Sequence, residues 1–123
     1  MSVTHQELIT LARDLARGDR EVDWRSSVSR CYYAAFHLAS SHADKCPPTD
    51  NLNTGSHAQL ARRFQLHGSR DARVIAEALA LMKRQRQAAD YIINTSFPHK
   101  DADDQLAKFT PLSRRIVSFS VQG

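Results

Sequence analysis

Apolar residues recur along most of this chain at intervals of three and four, the period of a helix packed on one side. Thr4-His5-Gln6-Glu7 has the spacing of a capping box, in which hydroxyl and carboxylate each satisfy an orphan backbone N–H. Leu8, Leu11, Ala12 and Leu15 follow as an apolar stripe that Gly18 ends. A second predicted helix runs from about Asp23 to Ala43. The stretch from Lys45 to Gly55, with Pro47-Pro48 and several Asn or Asp residues, cannot extend it and is predicted to be a loop. A third helix begins near Ser56, carries Leu60, Phe64 and Leu66 inward, and stops at His67-Gly68. The fourth starts at Ser69 or Asp71 and sets Val74, Ile75, Ala78, Leu81, Met82, Ala89 and Ile92 on one broad face until Phe97-Pro98 breaks it. The fifth spans about Asp101 to Val117, with Leu106, Phe109, Leu112 and Ile116 apolar and Pro111 expected to kink or interrupt it. Only Arg115 to Val121 alternates like a strand, and it reads equally well as the end of the last helix. Short connections favour antiparallel neighbours. The expected fold is all-α, an up-down bundle of four to five helices forming a single domain over residues 1–123.

Composition narrows the class further. With 24% charged and 41% hydrophobic residues, the chain has the balance of a soluble globular domain. It has no apolar run of the roughly 18 residues a membrane span needs, and MSVTHQELITLARD is polar where a signal peptide would be apolar. A cytoplasmic protein without a membrane partner is expected. Cys31 falls in an apolar helix as a small core residue and Cys46 in the loop. With no C-x-x-C and no H-x-x-x-H, no metal or other cofactor is expected. The net charge of +4 comes mostly from arginines grouped at Arg62-Arg63, Arg70 to Arg86 and Arg114-Arg115. Arginine forks onto phosphate, but so modest an excess raises the expectation of nucleic-acid binding only slightly.

The second helix departs from the generic pattern. On a wheel turning about 100° per residue, Ser26, Tyr33, His37, Ser41 and Asp23 all fall within about 60° of Arg30. Val28, Cys31, Tyr32, Ala35, Phe36, Leu38 and Ala39 occupy the other half. Arg30 and His37 therefore share a face about 10 Å apart along the axis, with Tyr33 one turn from each. A guanidinium and an imidazole around one phosphodiester suit RNA cleavage. The neutral imidazole takes a proton from a 2′-hydroxyl or gives one to the leaving oxygen, and the guanidinium stabilises charge on the phosphoryl oxygens. The plainer reading of such a row is a solvated helix face.

The run Ser29-Arg30-Cys31-Tyr32-Tyr33-Ala34-Ala35-Phe36-His37 resembles the signature helix of short prokaryotic HEPN proteins. Gly55-Ser56-His57, leading into a helix with Phe64, is similar to the T/S-H element that follows that family's variable loop. Arg86-Gln87-Ala88-Ala89-Asp90-Tyr91 is similar to the R-x-x-A-D-Y ending of its long fourth helix. The resemblance implies a dimerising helical bundle. It also implies a metal-independent endoribonuclease, often the toxin of a toxin–antitoxin pair or part of phage defence. The family's active site is an Arg, four to six variable residues and a His, a rule Arg30 and His37 meet. In dimeric relatives the two copies of the motif converge at the subunit interface. Two features differ: the late helix has Arg84 and Arg86 but no nearby His, and Ala39 stands where some relatives carry a modified tyrosine.

Around the candidate catalytic pair Arg30 and His37, five residues are supporting candidates: Ser26, Tyr33, His57, Arg86 and Asp90. Arg86 and Asp90 are spaced for an intrahelical ion pair, or Asp90 crosses to hold Arg30. His57 either caps and packs its own helix or contacts the same site. The expected partners are RNA, a second copy of the chain, and an antitoxin or defence protein. The alternatives are a non-catalytic HEPN module that binds a nucleotide or partner protein, and a plain helical interaction domain.

Overall fold

Short polar side chains cap the starts of two of the helices. The Thr4 hydroxyl accepts the Glu7 N–H at 3.1 Å while the Glu7 carboxylate accepts the Thr4 N–H at 3.1 Å, closing the capping box ahead of α1 (His5–Ala16). Ser69, rather than Asp71, caps α4 (Arg70–Tyr91) by accepting the Ala72 N–H. Gly68 ends α3 (Ser56–His67) with φ +84°, the left-handed conformation glycine adopts without strain. The computed structural model describes residues 3–49 and 55–121, and among these every regular element is helical. α2 (Glu21–Ser41) starts and stops two residues before the predicted limits, and Ala43–Lys45 form a separate 3-10 turn. α5 runs from His99 to Val121.

The pairs α1/α2, α2/α4 and α4/α5 run antiparallel, as their cross-contacts show, while α5 runs parallel to α2, with Trp24 beside His99 and Cys31 beside Gln105. Trp24 bonds the Gly18 carbonyl and Ser27 the Ala12 carbonyl, so α2 retraces α1. Arg25 meets residues 89 and 92 while Tyr32 meets Arg86, so α4 retraces α2. Gln105 reaches Met82 and Arg115 reaches Asp71, so α5 retraces α4. The result is a five-helix bundle with α2 at its centre, in contact with each of the other four helices. Small residues make that position possible: Ala12, Ala34, Ala35 and Ala39 are fully buried and let the backbones approach. Tyr32, Phe64, Ile75, Met82 and Ile116 fill the space between.

Several apolar residues do not sit where periodicity put them. α1 buries Ile9, Ala12 and Ala16, which turns Leu11 outward, 46% exposed. α4 buries Ala72, Ile75, Ala76, Leu79, Met82 and Ala89, leaving Leu81 and Ile92 exposed, and Leu66 of α3 is exposed too. Each broad apolar stripe was wider than the face its neighbours cover. α5 continues unbroken through Pro111, and residues 115–121 are its last turns rather than a strand. The missing Pro111 N–H removes a bond to the carbonyl of Ala107, an exposed residue that water can reach. Buried Phe109, Leu112, Ile116 and Phe119 hold both halves against the core. Cys46, expected in an open loop, is buried, and like Cys31 it carries a free thiol. No helix among the described residues is long and apolar enough to cross a membrane.

Candidate functional site

The centre of α2 presents one side to solvent, and there Arg30, Tyr33 and His37 form a row. The Arg30 guanidinium lies 5.1 Å from the centre of the Tyr33 ring, a cation–π contact. The ring of His37 is inclined only 30° to that of Tyr33, with centroids 6.4 Å apart, and its edge meets Phe36 at 5.3 Å. Tyr33 is thus a spacer between guanidinium and imidazole. His37 is exposed and Arg30 half-buried, so both are open to a ligand.

α4 adds a second arginine beneath this row. Arg86 is only 7% exposed, its guanidinium 5.5 and 5.6 Å from the rings of Tyr32 and Tyr33. Its nearest carboxylate, Asp90, is 3.8 Å away, and its Nε has no hydrogen-bond partner. Asp90 also crosses to α2, accepting the Ser29 hydroxyl at 3.2 Å, and the same oxygen of Ser29 accepts from Arg30 at 3.4 Å. The Arg86–Asp90 pair is thus present but loose, and Asp90 does not hold Arg30 directly, reaching it only through Ser29.

α3 contributes His57, whose Nδ1 is 2.7 Å from the Tyr32 hydroxyl and whose ring lies 4.2 Å from that of Phe36 and 5.7 Å from that of Tyr33. It packs and touches the row at once. Burial pushes the Tyr32 phenol up to about 12, against the opposing pull of Arg86, so it stays protonated. The His57 tautomer sets which of the two groups donates in this bond. Burial, then the charges of Arg86, Lys83 and His37, lowers the His57 pKa below its usual value.

Of the predicted residues, Arg30, Tyr33, His37, His57, Arg86 and Asp90 come together. Ser26 lies half-buried one turn earlier on the same face. Asp23 and Ser41 leave the row: Asp23 makes a two-pronged pair with Arg20, and Ser41 bonds the Leu38 carbonyl of its own helix. Sequence reasoning missed Tyr32 and Ser29 as links and missed Arg25 altogether. Arg25, 8% exposed, donates to the carbonyls of Ala89 and Ile92 at 3.0 Å and also to that of Thr95, satisfying the open end of α4. Its signal was present, since an arginine at that point of the wheel falls between Tyr32 and Phe36 on the apolar half. Of the clustered arginines, Arg62, Arg70, Arg73, Arg84 and Arg114 are exposed, whereas others are engaged within the fold. Arg63 binds the carbonyls of Ala43, Cys46 and Pro47, and Arg115 pairs with Asp71 at 2.7 Å.

The assembled site holds two guanidiniums and two imidazoles against one carboxylate, an arrangement suited to an anion and to proton transfer beside it. Among the described residues, no three His, Cys, Asp or Glu side chains gather as metal ligands. Comparison with known proteins adds no identity: no family model, curated protein or solved structure matches the chain.

Proposed function

We propose that this chain is a metal-independent endoribonuclease of the HEPN type, acting as a cytoplasmic toxin or phage-defence component. The observation that supports it is the row of Arg30, Tyr33 and His37, open to solvent and backed by the incompletely paired cation of Arg86. In this reading the His37 imidazole removes the proton from an RNA 2′-hydroxyl. The 2′-oxygen then bonds to phosphorus as the bond to the 5′-oxygen breaks, and Arg30 stabilises the charge on the non-bridging oxygens. The departing 5′-oxygen needs a proton. A homodimer that apposes two such rows supplies it from the second imidazole.

The test is cleavage of single-stranded RNA by the purified protein in EDTA. Products should end in a 2′,3′-cyclic phosphate or a 3′-phosphate. His37→Ala and Arg30→Ala should each lose on the order of a hundredfold in rate while staying folded, since neither side chain fills the core. Arg30→Lys should also be poor, because an ammonium cannot reproduce the fork. Intact RNA with the wild type, or full activity in His37→Ala, overturns the reading.

A further inference from the structure

Beside the row, α3, α4 and residues 48–49 enclose a groove of about 590 Å³, within the range of small-molecule sites. Two of its lining residues, Tyr32 and His57, belong to the cluster just described, so groove and row share a wall. Leu66 and Leu79 give it an apolar surface, which accounts for a leucine that α3 leaves out of the core. Arg62 and Lys83 also line it, and its described lining holds no carboxylate.

We propose that this groove is the subsite for the nucleotide next to the scissile phosphate, a proposal that rests on the ribonuclease reading. The base lies against Leu66 and Leu79, and the adjoining phosphate is held by Lys83 and Arg62. An apolar surface with cations and no acid fits a flat base attached to an anion. The shared wall matters as much: a strand with its scissile phosphate at Arg30 and His37 passes over Tyr33 and His57 into the groove without leaving the protein. His57, which lines the groove and touches the Tyr33 ring, stands where the two regions join.

The experiment measures binding apart from cleavage. A fluorescent single-stranded oligouridylate is titrated into His37→Ala protein, and into the same protein carrying Arg62→Ala with Lys83→Ala or carrying Ala80→Trp, which fills the groove. Circular dichroism checks each fold. The double variant, which alters only polar side chains, serves if the tryptophan disturbs packing. Affinity should fall about tenfold or more, and the slope of log affinity against log salt should shrink by about 0.7 in the double variant, for the one phosphate no longer neutralised. In protein with His37 intact, the same changes should raise KM for RNA cleavage. Unchanged affinity and salt slope would overturn the subsite, and so would a polyglutamate peptide that binds the groove as tightly as RNA. Failure of the ribonuclease reading looks different: the wild type cleaves nothing, yet RNA binding still depends on Arg62 and Lys83.

Discussion

Replacing Arg25 with methionine should destabilise the bundle more than its position near the start of α2 suggests. The side chain is 8% exposed and donates to the carbonyls of Ala89, Ile92 and Thr95, with a marginal fourth contact to Ala88 at 3.4 Å. Its guanidinium also lies 5.1 Å from the Phe97 ring and 3.5 Å from Glu21. Hydrogen bonds to a charged donor are each worth about 1.5–3 kcal/mol. Not all of that is lost, because Ile92 and Thr95 are exposed and water can reach their carbonyls. Ala89 is buried, so its carbonyl stays unsatisfied, at about 1–3 kcal/mol. Methionine recovers some packing and removes the desolvation penalty of a buried charge. The net loss should be about 3 kcal/mol, or on the order of 10 °C in melting temperature for a domain of this size. Thermal unfolding followed by circular dichroism reads it directly. Arg25→Lys should fall in between, since one ammonium cannot span carbonyls on both sides of the helix end. A methionine variant that melts within a degree or two of the wild type would refute the claim that Arg25 closes α4.

Two further outcomes follow from the packing. The pKa of His57 is lower in the folded chain than in the unfolded one, so between those two values the unfolded state binds more protons and stability rises with pH. That contribution is present above about pH 6.5 and fades as pH falls through the folded value, so melting temperature should drop less on acidification in His57→Gln than in the wild type; equal drops would contradict it. Pro111→Ala should raise the melting temperature by a few degrees, because it restores an N–H and good helix propensity at an exposed position of an already continuous helix. A lower melting temperature would show that the proline ring itself contributes to the fold.

Much of the fold was legible because capping and periodicity act locally. Thr4, Glu7, Ser69 and Gly68 do in the structure what their spacing foretold. Periodicity misplaced Leu11, Leu66, Leu81 and Ile92, since it gives the direction of an apolar face but not how much of it a neighbour covers. Pro111 was expected to kink or interrupt the helix; the interruption does not occur, because propensity weighs one missing hydrogen bond whereas four buried side chains around it hold the helix in place. On the site, the wheel correctly put Arg30, Tyr33 and His37 together, as they lie on one helix. The way α2, α3 and α4 meet was not legible. Tyr32 was set down as packing, yet its hydroxyl orients His57, and Asp90 reaches Arg30 only by way of Ser29. Such contacts depend on interhelical geometry that no single helix encodes.

Arg86 shows how fold and site bear on each other. A fully apolar residue at this point of α4 would meet Tyr32 and Tyr33 with no desolvation penalty, and replacing incompletely paired buried charges with apolar groups is often neutral or stabilising. The fold alone therefore gives no reason for an arginine 7% exposed, with an unbonded Nε and its nearest carboxylate at 3.8 Å. Its placement makes sense electrostatically. Lying under two aromatic rings, the charge is fixed and poorly screened, so it acts on groups above it more strongly than a surface arginine would. It helps hold His57 neutral, and in the proposed function it adds to the attraction for the phosphate at Arg30. Asp90 offsets part of that charge while its contact with Ser29 ties α4 to α2. The arginine is paired enough to be tolerated and unpaired enough to act on an anion above it, and that balance ties the interior of the bundle to the chemistry proposed for its face.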